Sequence, residues 1–201
     1  MVKLYGTSKS RSARCLWALE ELGVKYEHEP VAVTDAKSAD HLKRNPIGHI
    51  PVLEDNGVMI CESLAINLYL AEKYGKGSLW PASVEDHGHA YQWSFFAMTE
   101  LEPHLMTLLR HKLFLPAEQR SEQAVKEATE ALKAPLGVLD AVLGKHENLL
   151  GSAFTIADLN VASVLSFANY VKFDFSATPK LQAWLQKSLG REANAKVRGL
   201  K

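Results

Sequence analysis

The sequence is poor in cysteine, in blocks of one charge and in long apolar stretches, and each shortage removes a class of protein. Its two cysteines, Cys15 and Cys61, lie far apart and form no CxxC pair. A disulfide framework is therefore not expected, and a reduced, cytoplasmic setting is expected. Basic and acidic residues number 23 each, and residues 1–78 carry ten of each sign. Neither half offers the positive field of a nucleic-acid or anionic-membrane binder. No apolar run reaches about 18 residues, so no membrane span is expected. The opening MVKLYG runs straight into a strand-like segment, which leaves no room for a signal peptide. Neither GxGxxG nor a Walker loop occurs, so no nucleotide site is indicated. His87-Gly88-His89 is the only close histidine pair, and no cysteine or carboxylate motif completes a metal site around it.

What is present is ordinary core-forming material, 47% hydrophobic over 201 residues, enough for one large or two small domains. The spacing predicts a strand at Val2–Tyr5 and a helix from Ser12 to Leu22, with Gly23 as its stop. A second strand is expected at Tyr26–Val33 and a weak helix at Ala36–Lys43, ended by Asn45-Pro46. Pro51–Leu53 and Val58–Cys61 flank Asp55-Asn56-Gly57, a hairpin turn signal. Ser63–Tyr74 reads as a helix apolar nearly all round, expected to be buried on two sides. The order is β-α-β-α-β-β-α, and Gly75–Ser83 looks like a linker.

Beyond the linker the pattern is helical throughout. Tyr91, Phe95, Met98, Leu101, Leu105 and Leu108 recur at helical spacing, as do Val125, Ala128, Leu132, Leu136, Leu139 and Leu143. Thr155-Ile156-Ala157-Asp158 has the form of a capping box, with Asp in place of Glu. Thr178-Pro179 opens a further helix that Gly190 ends. Pro103 and Pro135 should each bend or interrupt a helix.

One stretch raises a chemical question. In NPIGHIPVLED, Asn45–Asp55, a proline stands just ahead of a buried strand. Proline cannot donate to a ladder, and the residue before it stays extended. Ile50 is thus placed to offer its backbone N–H and C=O to something outside the sheet.

Asn45–Ser63 resembles the NP-x-G-x-x-P-x-L … ES signature of cytosolic glutathione transferases, and Phe154–Ser163 resembles the capping segment of their helical domain. In this order and separation the two motifs identify the chain as similar to serine-type, bacterial-like members of that family. The resemblance covers essentially the whole chain. It implies a thioredoxin-like α/β domain over 1–77 that binds glutathione, followed by an all-helical domain over 84–201 that lines the electrophile site. It also implies a homodimer, a cis bond at Pro51 and pairing of Ile50 with the cysteinyl unit of glutathione. Partners are then glutathione, as co-substrate rather than cofactor, and a small apolar electrophile. No metal, nucleic acid or membrane partner is expected.

The resemblance assigns Glu62 and Ser63 to the γ-glutamyl end, at a helix start where N–H groups and the dipole favour an anion. His49 stands where relatives carry a contact to the glycyl carboxylate; Lys37 and Lys43 are alternatives. The thiol needs a donor, and TSKSRSAR, Thr7–Arg14, supplies Ser8, Ser10, Ser12 and the cation Arg11 near a helix N-terminus. Ser10 is the chosen catalytic hydroxyl, with Ser8 and Arg11 beside it. Ungapped alignment on the helix lands on Lys9 instead, so Ser10 requires a one-residue shift. Ser12 reads more simply as a helix cap, and Tyr5 is a weaker donor. Cys15 falls on an apolar helix face and reads as structural. Trp93, Phe96, Met106 and Leu109 are candidates for the electrophile wall, and Glu100 for a contact to a partner subunit's glutathione.

A free thiol of pKa about 8.5 is roughly 3% thiolate at pH 7. Lowering that pKa by about two units raises the thiolate roughly 25-fold and lowers nucleophilicity about 8-fold if a Brønsted slope near 0.45 applies. The net gain is about threefold, so positioning beside the electrophile must supply more. Two classes of function stay open: a glutathione-dependent enzyme (transferase, with peroxidase or isomerase as variants) and a non-catalytic glutathione-binding protein on the same scaffold.

Overall fold

The computed structural model describes residues 1–199. They divide into two compact units. The first comprises residues up to Ala82 together with the last helix, and it opens β1 (Val2–Tyr5), α1 (Ser12–Leu22), β2 (Tyr26–Glu29), α2 (Ala39–Arg44). It continues with the hairpin β3 (Val52–Asp55), β4 (Val58–Cys61) and then α3 (Ser63–Tyr74). The sheet order is β2-β1-β3-β4, with β1 and β2 parallel and the other pairs antiparallel. Leu4, Leu16, Leu19, Leu53, Ile66 and Leu70 are fully buried between the sheet and α1 and α3.

β2 ends four residues before the predicted Val33. Pro30 follows Glu29, and without an N–H it cannot extend the ladder. A 3-10 turn at Val33–Lys37 comes next, and Ser38 caps α2 by accepting from the His41 amide at 3.3 Å. α3 is buried along one broad face (Leu64, Ile66, Asn67, Leu70, Ala71), while Ala65 and Glu72 are exposed, so the expected burial on two sides does not hold.

Asp55 ends β3 inside the protein with zero exposure. Its Oδ2 accepts from Tyr69 (3.0 Å), Lys73 (2.7 Å) and Tyr74 (2.7 Å), all on α3. Burial alone would push this carboxyl up; the three donors outweigh it and hold it below the usual aspartate range.

The second unit runs from Ser83 to Leu189 and is all helical: α4 (Val84–Phe96), α5 (Glu102–Leu109), α6 (Glu122–Leu143), α7 (Ile156–Leu165), α8 (Phe167–Tyr170), α9 (Pro179–Leu189). α4 passes into α5 through a π turn at Ala97–Leu101, and Pro103 then sits in the first turn of α5, where a missing N–H costs nothing. α6 runs through Pro135 without ending, contrary to an interruption there. Leu101, Leu105, Leu108, Leu132 and Leu139 are core, whereas Tyr91 and Phe95 are exposed and Trp93 takes the inward position on α4.

Every residue of α7 is buried, which suits its apolar circumference. Thr155 and Asp158 form the predicted reciprocal capping box at its start. Asp158 does more than cap. Its carboxylate accepts from Thr155 N (2.9 Å), Thr155 Oγ1 (3.0 Å), Leu149 N (2.8 Å) and Trp184 Nε1 (3.2 Å). Burial nevertheless pushes its carboxyl up, against those four bonds. Asp140 on α6 caps α9 by accepting from the amides of Lys180 and Leu181 at 2.8 and 2.9 Å.

The last helix, α10 (Glu192–Gly199), packs with α1 in the first unit. Arg191, just ahead of it, donates twice to Glu21 at 2.6 and 2.8 Å, and Trp17 Nε1 donates to the same carboxylate at 2.9 Å. No helix among the described residues is long and apolar enough to cross a membrane.

Candidate active site

Strand register assembles the site. Tyr5 of β1 pairs with Val52 of β3, which pairs with Cys61 of β4. The residues just past these, Gly6, Pro51 and Glu62, therefore leave the sheet along one edge. Three loops follow from them: Thr7–Arg11 into α1, Asn45–Pro51 into β3, and Cys61–Ser63 into α3. Their closeness is direct. A Cβ on Gly6 would lie 2.0 Å from Ser12 Oγ and 3.3 Å from Ile50 Cβ. Arg14 Nη1 donates to Ser63 Oγ at 3.4 Å, and the Cys15 thiol donates to the Ser63 carbonyl at 3.3 Å.

The first loop is a tight turn. Ser10 Oγ donates to the Thr7 carbonyl (2.8 Å), lies 3.0 Å from Ser12 Oγ and accepts from the Ser12 amide (3.1 Å). Ser10 therefore satisfies the first N–H of α1, with Arg11 at the N-cap position, and Ser12 is the first helical residue rather than the cap. Ser10 is partly exposed and Ser12 is buried. Lys9 points to an exposed position, and Ser8 and Arg11 are partly exposed in the same turn.

In the second loop the Ile50–Pro51 peptide is cis. Among the described residues no hydrogen bond engages the Ile50 amide or carbonyl, and the ladder begins only at Val52. The flanking carbonyls are tied down instead. That of His49 accepts from His41 Nε2 (2.8 Å) and Asn45 Nδ2 (3.0 Å), and that of Ile47 from Lys37 Nζ (2.6 Å). The His49 side chain is exposed. His41 and Asn45 are themselves buried; Asn45 opens the signature stretch but had no role assigned from sequence, and His41 was not singled out, since a histidine in a weak helix carries no signal.

In the third loop Glu62 adopts φ 68°, a left-handed conformation unusual for a residue with a side chain. It turns the chain sharply into α3, leaving Glu62 exposed and Ser63 buried at the first helical position.

Two alternative donors are committed elsewhere. The Tyr5 hydroxyl donates to Glu54 at 2.7 Å under the Arg44 guanidinium, and burial followed by that bond pushes its pKa up. Cys15 is fully buried and its thiol is pushed far up by that burial. In the helical unit Trp93 and Leu109 are buried and Phe96 and Met106 partly exposed, with Trp93 and Phe96 in edge contact at 5.3 Å. Glu100 is exposed on the π turn. No cluster of metal-ligating side chains occurs among the described residues.

Family models close the question of kinship. Residues 1–72 match the glutathione S-transferase N-terminal domain and residues 96–192 match the C-terminal domain. The chain belongs to the glutathione S-transferase family. Among named transferases, glutathione S-transferase 1 of Zea mays is 34% identical over 99% of this chain and 96% of its own length. Glutathione S-transferase GstB of Escherichia coli K12 is 30% identical over 98% and 97%. The structure of a glutathione S-transferase-I bound with lactoylglutathione superposes with a TM-score of 0.88 at 32% identity, covering 100% of this chain and 99% of that one. That of the transferase URE2P6 of Phanerochaete chrysosporium with oxidised glutathione gives 0.88 at 28% identity, over 98% and 94%. The transferase fold, a thioredoxin-like domain followed by a helical one, is thus the fold of this chain.

Proposed function

We propose that this transferase binds glutathione along the open backbone of Ile50 and activates its thiol with the Ser10 hydroxyl for attack on a small apolar electrophile. The supporting observation is the unpaired Ile50 amide and carbonyl, set beside a serine at the start of α1 and fixed by cross-ties on the carbonyls before it.

On this reading the cysteinyl unit adds to Ile50 as a short extra strand beside Pro51. Its sulfur comes to Ser10, whose proton turns from the Thr7 carbonyl to the sulfur as the thiol releases its own proton to solvent. The hydroxyl, the start of α1 and Arg11 all favour the anion. The γ-glutamyl carboxylate takes the start of α3, with Ser63 and Glu62 as side-chain contacts and Ser8 lining the turn. His49 faces the glycyl carboxylate. The thiolate then attacks the electrophile, forming a carbon–sulfur bond as the leaving group departs or the acceptor bond opens. Trp93, Phe96, Met106 and Leu109 offer the apolar wall. The domains act as 1–77 for glutathione and from residue 84 for the electrophile, in a homodimer.

Retention on immobilised glutathione and turnover of an aryl halide test this directly. Ser10→Ala is expected to lower kcat/KM roughly 10- to 100-fold while glutathione affinity stays within about threefold. A loss of affinity without change in turnover would refute the role of Ser10. Retention with no turnover on a broad electrophile panel would favour the binding-protein alternative.

A further inference from the structure

We propose that Ser12 is a positioning residue for Ser10: it fills both lone pairs of the Ser10 oxygen, so that the single Ser10 proton is aimed at the one acceptor left. The inference rests on Ser10 as the hydroxyl that meets the glutathione sulfur.

A hydroxyl has one proton and two lone pairs. Ser10 Oγ has three neighbours: the Thr7 carbonyl at 2.8 Å, Ser12 Oγ at 3.0 Å and the Ser12 amide at 3.1 Å. A carbonyl only accepts, so the Ser10 proton lies on Thr7. The contact between the two hydroxyls must then be donated by Ser12. Both lone pairs of Ser10 are thereby taken by one residue, through its amide and through its side chain.

Ser12 is well held for this task. It has zero exposure and is the first residue of an 11-residue helix. Its Oγ is wedged against Gly6, where even a methyl group would lie 2.0 Å away, and Ile50 Cβ flanks the same point. The side chain has little room to turn. Two donors into one oxygen polarise its remaining O–H and make it a stronger donor. Bringing a thiolate in place of the Thr7 carbonyl is then an exchange of acceptor on one proton, with the rest of the network unmoved. Without the Ser12 hydroxyl, Ser10 has an empty lone pair and weaker directionality.

The test uses the full-length protein, with glutathione and an aryl halide as probes. The apparent pKa of bound glutathione is read from the ultraviolet absorbance of the thiolate and from the pH profile of kcat/KM. Ser10→Ala comes first: if it leaves that pKa unchanged, the role of Ser10 is wrong, and the role of Ser12 goes with it. With Ser10 upheld, Ser12→Ala is expected to raise the pKa by about half to one unit, the worth of one hydrogen bond. Below that pKa, kcat/KM should fall about 2- to 4-fold, the loss of thiolate being partly offset by its higher nucleophilicity, while glutathione affinity changes less than about twofold. Ser12→Cys fills the space with a weak donor; it should behave like alanine, and it carries the test if the alanine variant does not fold. In a Ser10→Ala background either substitution should add nothing to the pKa. An unchanged pKa in the Ser12 variants, full recovery by Ser12→Cys, or a shift that persists without Ser10 would each overturn the proposal.

Discussion

Replacing Asp158 by alanine strips one acceptor from four donors. The Thr155 hydroxyl can turn away, but Leu149 N–H, Thr155 N–H and Trp184 Nε1–H are held by the fold around a residue with zero exposure. A buried donor left without a partner costs about 1–3 kcal/mol, so three give roughly 3–9 kcal/mol as a simple sum. Two effects reduce it. The space vacated by the carboxylate is polar enough to admit a water. The native carboxylate also carries a desolvation cost, visible in its upward-shifted pKa, and the variant is relieved of that. We expect a net loss of about 3 kcal/mol, more than the ~1 kcal/mol typical of a cap alone. In a chain of this size that lowers Tm by roughly 6–12 °C. Calorimetry and urea unfolding followed by circular dichroism measure it. Asp158→Asn keeps the shape and one carbonyl oxygen, which can still serve Leu149 and Trp184, but its NH2 then faces the Thr155 amide. It should cost about half as much as alanine. A loss below about 1 kcal/mol in Asp158→Ala, or an asparagine as damaging as alanine, would refute the reasoning.

Asp55→Asn should destabilise the protein by about 2–4 kcal/mol at neutral pH, because it breaks a buried charged hub. The folded carboxyl lies below its ordinary value, so its contribution is present at neutral pH and fades as pH falls through the folded pKa. Urea unfolding at descending pH should therefore show the gap to wild type narrowing below the unfolded value of about 3.9. Gly6→Ala and Gly57→Ala both place a side chain at positive φ, 143° and 86°, yet only Gly6 is crowded, with nothing within 4 Å of a Cβ at Gly57. Thermal unfolding and glutathione titration should find Gly57→Ala mild, about 1 kcal/mol, and Gly6→Ala larger with impaired glutathione binding; equal effects would count against the crowding at Ser12.

Features written in neighbouring residues were legible beforehand. The Asp55-Asn56-Gly57 turn, the capping box at Thr155–Asp158 and the proline opening α9 each combine residues a few positions apart, and each appears as expected. Misses came where a distant partner or a backbone detail decides. Pro30 cut β2 short although the apolar alternation continued past it. Of the bend or interruption expected at Pro135, the interruption does not occur, because α6 is held along its length by Leu132, Leu136 and Leu139 in the core. The three donors on Asp55 come from positions 14, 18 and 19 residues away, which no local pattern announces. At the site, the loop that carries Ser10 was readable as a serine-rich helix entry. Which hydroxyl caps and which is buried was not, since that depends on how close Gly6 and Ile50 approach. The tie from His41 to the His49 carbonyl was invisible for the same reason.

The return of α10 to α1 has a consequence for synthesis. Because Arg191 grips Glu21 and α10 packs on α1, that flank of α1 is finished only by residues translated after the entire helical unit. On the ribosome the sheet and its two inner helices emerge early and wait with a flank uncovered. Chains stalled before position 190 would carry that flank bare, as targets for chaperones or proteases.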